Sequence, residues 1–554
     1  MPGGLLNLVS EGQANIILNG NPQKTFFSST YKTYSNFGMQ KFRIDFDGQR
    51  TLRMSESSTF RFYVPRYAEL LMDTYMVIDL PTIWSPILPP QDCSGVWQPY
   101  DFKWIENLGT QMIESVELSV GGQILQKMSG QYLYNLVERD WSAEKKQLYY
   151  QMTGNTPDLN DPANADGRNG QYPSAYYTTS TLGPEPSIRG RQLFVPINVW
   201  FTLSSKQAFP LVSTQYNQLV IDITLRPVAD LFVVRNLDDP DGNYIRPNLN
   251  DPRYSFYKFL QPPPSIELQA DDYSDRRTNW NAAVHLNATY VYLSQDEVRR
   301  FASLPQKYLI KEVYEYNFNN TTGTGKVDVD SLSLVADWMW YFQRSDAKLR
   351  NQWSNYTNWA YDGVMPSPIR LANNSDPALT SLTCGSVSSY TPAVNPLTDS
   401  SSNLYITGDY SPDNQQHILE TWGIVMDGKY RENPFPAGVF DYVEKYVRTG
   451  GYAKPGLYCY NFSLNTSPFD LQPSGAMNVS KFRNIQFETC SIALSYEQMQ
   501  QKKAILLAAL YIAKNKGGGQ KTRQNLLDYM KEDVNITTDA SRMYSYRYSS
   551  FLNP

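Results

Sequence analysis

An all-β fold is predicted, on three observations. Aromatic residues make up 14% of the 554-residue chain, 41 of them Tyr, alongside 35 Pro and 32 Gly. Tyr, Phe, Trp and β-branched side chains suit pleated, half-buried surfaces, while Pro and Gly mark frequent turns. Apolar and polar residues alternate at period two in two separate blocks, as half-buried strands require. The length exceeds what one hydrophobic core serves, so two large units with sizeable insertions are expected.

In the first block, Phe60, Phe62 and Val64 alternate with Arg61 and Tyr63, and Met76, Ile78 and Leu80 alternate with Val77 and Asp79. The stretch Trp104 to Leu125 reads WIENLGTQMIESVELSVGGQIL. Within it Val116, Leu118 and Val120 alternate with Ser115, Glu117 and Ser119 and run into Gly121-Gly122, a strand entering a tight two-residue turn. RQLFVPINVWF (191–201) follows, and LVIDITLR closes the block with Leu219, Ile221, Ile223 and Leu225 on one face. Short strands between Pro- and Gly-bearing turns suit a sandwich rather than a parallel sheet. Residues 227–282, with RPNLNDPRYSF and QPPPS, read as a Pro-rich linker.

The second block is expected to open near Asn287 with ATYVYL. It continues in VDVDSLSLVADWMWYF (327–342), where Leu332, Leu334, Ala336, Trp338, Trp340 and Phe342 share a face. GLYCYNFSL (456–464) sets Tyr458, Tyr460, Phe462 and Leu464 against Cys459, Asn461 and Ser463. Residues 151–185, rich in Asn, Asp, Gly and Tyr, and residues 361–415, rich in Ser, Thr, Asn and Pro, read as loop insertions. Residues 497–540 differ in kind: EQMQQKKAILLAALYIAKN is full of helix formers, GGG at 517–519 ends it, and TRQNLLDYMKE suggests a second short helix. From 497 to 531 seven Lys/Arg stand against two Asp/Glu, a local +5. Such a pair either packs on the β-domain by its apolar face or docks an acidic partner.

Little in the sequence points to chemistry. The balance of 49 basic and 54 acidic residues, net −5, argues against a protein that wraps nucleic acid. Cys93, Cys384, Cys459 and Cys490 fit neither a zinc pattern nor a dense disulfide framework, which suits a reducing compartment. The opening segment, with no Lys or Arg before Lys24, does not read as a signal peptide, and Pro2 stands where N-myristoylation needs Gly. The most apolar run, Ala504 to Ala513, is too short to span a bilayer. His285 and His417 are the only histidines and lie in no catalytic motif, so each is expected to be structural. No phosphate loop, GxGxxG or HExxH occurs. DLNDPANADGRNG (158–170) has ligands enough for calcium, but Pro162 interrupts it and no Glu completes an EF-hand loop. The N-x-S/T sequons at Asn287, Asn319, Asn320, Asn355, Asn373, Asn461, Asn465, Asn478 and Asn535 read as chance matches in Asn-rich loops. No catalytic, cofactor-binding or metal-ligating residue is assigned, and no cofactor.

Several segments together resemble one family, the major capsid proteins of nucleocytoplasmic large DNA viruses (NCLDV). The amino-terminal run resembles theirs at Asn21, Pro22, Gln23, Thr25, Phe26, Phe27, Tyr31, Asn36 and Phe37. Similar matches fall on the hairpin 104–125, on LFVPINVWFTLSSKQAFPLVSTQYNQLVIDI (193–223) and on YVYLSQDEVRRFASLPQKYLI (290–310). WYFQRSDAKLRNQW (340–353) and YNFSLNTSPFDLQPSGAMNVSKFRNIQF (460–487) complete the series. Departures are PRYAELL (65–71), QKYLI (306–310) and the helical segment 497–540, which precedes a last strand expected in SRMYSYRYSSF.

The resemblance implies an all-β double jelly roll: two consecutive eight-stranded jelly rolls with long loop insertions and a short helical insertion near the C-terminus. The expected division is an N-terminal arm (1–26), a first jelly roll (27–226), a linker (227–282) and a second jelly roll (283–554). It implies a structural virion protein and no enzyme: a homotrimer of hexagonal outline that tiles an icosahedral capsid, assembled in the host cytoplasm at viral factories. Expected partners are neighbouring capsomers, minor capsid and penton proteins and inner-membrane-associated virion proteins, with no direct contact to nucleic acid. The alternatives are a minor capsid or scaffold paralogue of the same fold, and a jelly-roll carbohydrate-binding protein or enzyme.

Overall fold

The computed structural model describes residues 3–10, 12–48, 51–88, 97–238, 243–265, 272–278, 280–319, 321, 323–330, 333–366 and 414–492, and the backbone of 540–552. Sixteen of its strands build two sandwiches. The first contains β1 (Phe37–Ile44), β2 (Ser58–Tyr63), β3 (Leu70–Asp79), β4 (Ile113–Val120), β5 (Gln123–Ser129), β6 (Gln192–Pro196), β7 (Leu219–Leu225) and β8 (His285–Leu293). The second contains β9 (Lys307–Phe318), β10 (Thr324–Asp328), β11 (Leu334–Gln343), β12 (Leu419–Met426), β13 (Lys429–Pro436), β14 (Leu457–Asn461), β15 (Ile485–Ser491) and β16 (Ala540–Leu552).

The first roll pairs β1-β8-β3-β6 in one sheet and β2-β7-β4-β5 in the other; the second pairs β9-β16-β11-β14 and β10-β15-β12-β13. Counted from the start of each roll, both read 1-8-3-6 and 2-7-4-5. All these pairings are antiparallel. The wrap in which the last strand pairs with the first, across the whole roll, is that of a jelly roll.

The local reasons are visible in the burial. β2 and β7 alternate strictly, with Phe60, Phe62, Leu219, Ile221, Ile223 and Leu225 buried and the residues between them turned outward. Gly121 and Gly122 both take positive φ, +59° and +84°, so β4 and β5 close with the twist a two-residue hairpin needs.

Four placements differ from the sequence-based expectation. His285–Leu293, expected to open the second unit, pairs with β1 and β3 and closes the first. An isolated alternating run carries no information about which sheet receives it. Residues expected to form a linker instead pack on the first roll: Phe232–Arg235 pairs with Phe102–Trp104, and Tyr254, Phe256 and Phe259 are buried. The expected single run 327–342 is divided between Thr324–Asp328 in one sheet and Leu334–Gln343 in the other. The 151–185 insertion is partly helical, continuing a helix Ala143–Thr153 into a short turn Pro157–Asn160 with Leu159 buried. Most of the 361–415 insertion (367–413) and nearly all of the helical segment 497–540 (497–539) lie outside the described residues.

Candidate assembly surfaces

The side chains of greatest consequence lie at the seam between the two rolls. Immediately after β5 the helix Gly130–Asp140 starts on Ser129, whose hydroxyl accepts from the Tyr132 N–H, and all eleven of its residues are buried. A helix so covered needs neighbours on all sides, and here the second roll supplies one of them. Arg139 Nη1 donates to Asp337 Oδ1 at 2.6 Å, and Arg139 Nη2 to Asp140 Oδ2 at 2.8 Å. Thr466 donates to Asp140 Oδ1 at 2.6 Å. Tyr356 donates to Asn135 at 2.5 Å and stacks on Tyr341 with ring centroids 4.1 Å apart.

Away from the helix the seam continues. Asn351 donates to the Ala229 and Phe232 carbonyls at 2.9 and 2.8 Å, and Trp353 Nε1 to the Asp230 carbonyl at 3.0 Å. The Arg226 guanidinium lies 4.0 Å from the centre of the Trp353 ring. The three deeply buried ionised groups, Arg139, Asp140 and Asp337, are tolerable because Arg139 pairs with both carboxylates, which fixes one relative placement of the rolls. β11 shows the consequence: Trp338, Trp340 and Phe342 enter the second core, while Met339 and Tyr341 on its other face join the core cluster of the first roll.

The seam holds the groups that could have looked reactive. Burial pushes the Cys459 thiol up to about 12, so it is not a nucleophile. Lys146 is lowered, chiefly by burial, against the opposing pull of Glu138, with which it pairs at 3.2 Å.

His285 is buried in β8 with Nδ1 at 2.8 Å from the Ala283 carbonyl, and His417 lies exposed before β12. In the 158–170 segment Asp158 pairs with Arg191 at 3.0 Å, Asp161 with Lys103 at 2.7 Å and Asp166 with Arg168 at 3.4 Å. Those carboxylates are spent on neighbouring cations. Among the described residues no group of three or more His, Cys, Asp or Glu gathers as a metal site, and no helix is long and apolar enough to cross a membrane. Of the sequons, Asn355 and Asn461 are buried, and Asn319, Asn465 and Asn478 are exposed.

Among the described residues, exposed apolar side chains follow one another closely in the following segments. The amino-terminal segment exposes Leu5, Leu6, Phe26, Phe27, Tyr31 and Tyr34. The edge strand β1 exposes Phe37 and Met39. In the second roll, the helical segment that follows β13 exposes Tyr442, Val443, Tyr446 and Val447. Patches of this kind mark contacts with other molecules rather than solvent-facing design. Sequence reading missed the seam entirely. Asp337, a lone carboxylate within LVADWMWYF, was the signal that could have found it, because an apolar strand keeps such a residue only where a cation meets it.

Comparisons with known proteins agree with this geometry. A model described as "Major capsid protein N-terminus" matches residues 25–293, and one described as "Large eukaryotic DNA virus major capsid protein" matches 297–504. The major capsid protein of Phaeocystis pouchetii virus is 24% identical over 542 residues, 90% of this chain and 94% of that protein. That of Paramecium bursaria Chlorella virus 1 is 23% identical, over 93% of this chain and 96% of the relative. That of Chrysochromulina ericina virus reaches 28%, and the match spans about half of either protein, 56% of this chain and 52% of the relative. Among solved structures, the Faustovirus major capsid protein superposes with a TM-score of 0.59 at 12% identity, covering 100% of this chain and 98% of its own. A chain of the PBCV-1 virus capsid superposes at 0.56 and 17%, covering 95% and 97%. With two jelly rolls of one topology locked at a buried seam, and with family models matched across the first roll and most of the second, the chain belongs to the major capsid proteins of the large eukaryotic DNA viruses, structural proteins of the virion rather than enzymes.

Proposed function

We propose that this chain assembles as a homotrimer of hexagonal outline, and that such trimers tile the facets of an icosahedral shell. The observation that supports it most directly is the repeated strand order, 1-8-3-6 and 2-7-4-5, in two rolls held rigidly side by side. Three copies of two like sandwiches present six similar outer faces from a threefold object, which packs on a hexagonal net. Obligate interfaces of this kind bury on the order of 2,000–5,000 Å². Contacts between capsomers can then be weak singly, because a shell makes many at once.

The amino-terminal arm (1–26), with its exposed leucines, is read as facing the inner side, towards minor capsid and inner-membrane-associated proteins. The 151–185 and 361–415 insertions are read as the outer crown. Assembly at cytoplasmic factories and contacts with penton proteins belong to the same proposal. The domain boundary is proposed to follow β8, with β9 opening the second roll.

Light scattering on the purified full chain, followed by negative-stain microscopy, tests the reading. A hexagonal particle of three chains is expected; a stable monomer would sink it. Proteolysis of intact particles within 361–415 is expected to be rapid, and complete protection would count against the crown placement.

A further inference from the structure

The two rolls repeat each other closely enough to be aligned residue by residue. β3 and β11 each carry one extra residue opposite the last strand of their roll: Leu71 and Thr74 face Tyr290 and Ala288, and Val335 and Trp338 face Arg547 and Ser545. Matching these bulges puts Asp73 at the position of Asp337. The same register, carried through β8 and β16 (Ala288 opposite Phe42, Ser545 opposite Tyr314), puts Phe37, Gly38 and Met39 at the positions of Leu309, Ile310 and Lys311. The hairpins align through their turns, so Gln126, opposite Leu118, corresponds to Glu432, opposite Ile424.

Each roll has a groove between the helical segment after its fifth strand and the strands beside it. The groove of the first roll is lined by Gln126, Tyr132, Arg139 and Asn198; that of the second by Glu432, Val439, Arg448 and Asn461, of which Glu432 and Asn461 match Gln126 and Asn198 in strand register, and Val439 and Arg448 come from the helical segment that follows the hairpin, as Tyr132 and Arg139 do. Their contents differ. In the first, Leu309, Ile310 and Lys311 of β9 are seated, Gln126 Nε2 donates to the Lys311 carbonyl at 3.4 Å, and a cavity of about 60 Å³ remains. In the second, no strand among the described residues is seated, and the open space is about 660 Å³.

The residues that correspond to the occupant are themselves uncovered. Phe37 is 62% exposed and Met39 60% exposed, on a strand edge that offers unpaired backbone groups. Asp73, the counterpart of Asp337, makes no hydrogen bond or ion pair among the described residues. Around the open groove Tyr446, 92% exposed, and Val447 extend the apolar surface, where the counterpart helix of the first roll is wholly buried.

We propose that the open groove of the second roll is the docking site for β1 of a second copy of this chain, with Phe37 and Met39 seated in it and Asp73 brought to Arg448 as Asp337 is brought to Arg139. The contact is head-to-tail, the groove of one copy receiving the strand of the next, and three such contacts close a ring. It rests on the trimer reading above and adds which surfaces make the trimer. The intramolecular seam is then the pattern for the intermolecular one, and six like contacts, three within chains and three between them, run around the capsomer.

The full chain and its Phe37→Asp/Met39→Asp variant are compared by light scattering across a dilution series. The variant is expected to dissociate at a concentration about 100-fold or more above the wild type, since apolar anchors at an interface centre carry most of its affinity. Circular dichroism and melting of the dissociated variant establish that its fold is kept. Asp73→Arg and Arg448→Asp are each expected to weaken the trimer and, combined, to restore it. For a test that leaves packing intact, Met39→Cys with Val439→Cys is oxidised and run without reductant. Covalent dimers and trimers are expected in excess of whatever either single variant gives through the four native cysteines. A wild-type trimer that survives Phe37→Asp/Met39→Asp unchanged, or that fails to cross-link, overturns the docking assignment while leaving the trimer standing. A wild type that is monomeric throughout overturns both.

Discussion

The two rolls share a topology and differ in what fills them. The core of the first is one large, mostly aliphatic cluster, with Met76, Ile78, Leu193, Ile221 and Ile223 between the sheets and a further layer from Tyr254, Phe256 and Phe259 beneath. Among the described residues, the core of the second is dominated by rings: Trp340 stacks on Trp422 at 4.2 Å, Trp422 meets Phe440 at 4.7 Å, and Trp338 meets Phe487 at 4.9 Å. Each such ring contributes a large buried area. The second roll also places Met339, Tyr341 and Tyr356 in the cluster of the first. The difference teaches that strand order is set by the pairing pattern and not by one recipe for the interior, and that the second roll borrows part of its stability across the seam.

Breaking the ring stack is the largest expected effect. Trp340→Ala should cost about 3–5 kcal/mol, because its stacked neighbours are too rigid to collapse into the space. Ile223→Ala in the first roll should fall lower in the range of about 2–5 kcal/mol, since aliphatic neighbours relax more easily. Urea unfolding of both variants measures the contrast, and equal losses would deny that the two cores respond differently.

Asp337→Asn comes next and tests the borrowing itself. It keeps the shape but removes the charge that Arg139 meets at 2.6 Å, for an expected loss of about 2 kcal/mol. Amide hydrogen exchange read separately in β2–β7 of the first roll and in β10–β15 of the second should follow one transition in the wild type. The two should separate in the variant, and coincident transitions would mean that the seam is not what couples the rolls.

How much of this could be read from sequence follows from the same physics. Period-two runs such as Leu219–Leu225 are strands in the structure because one face meets the core and the other water. β11 is buried on nearly every residue, so its alternation showed a strand but hid that both faces are covered. Residues 227–282 looked like a linker because Pro recurs through them, yet the short strand Phe232–Arg235 and the buried Tyr254, Phe256 and Phe259 anchor them to the first roll. β8 was assigned to the wrong roll because the closing strand of a jelly roll pairs with partners more than 200 residues earlier in the chain, such as Phe42 with Ala288. The family resemblance was legible in the motifs. The groove and its occupant were not, since their relation exists only once the two rolls are laid over each other.

The smallest effect separates two buried carboxylates, one in each roll. Asp337 has its cation at 2.6 Å, whereas Asp101, beside the Phe102–Trp104 strand, has Arg235 only at 4.0 Å. Burial therefore prevails at Asp101 and raises its carboxyl from 3.8 to about 6, with Arg235 and Lys103 opposing weakly. Between those values the folded protein holds a proton that the unfolded chain has released. The stabilising contribution is thus full below about pH 4 and is lost as pH rises through 6. Asp101→Asn fixes the neutral form, so it should raise stability at pH 7 by on the order of 1 kcal/mol and leave it nearly unchanged at pH 4. Melting temperatures of the two proteins across that interval decide the matter: curves that converge towards acid support an underpaired carboxylate in the first roll, and a variant less stable at pH 7 would show that Arg235 is a closer partner than its distance suggests.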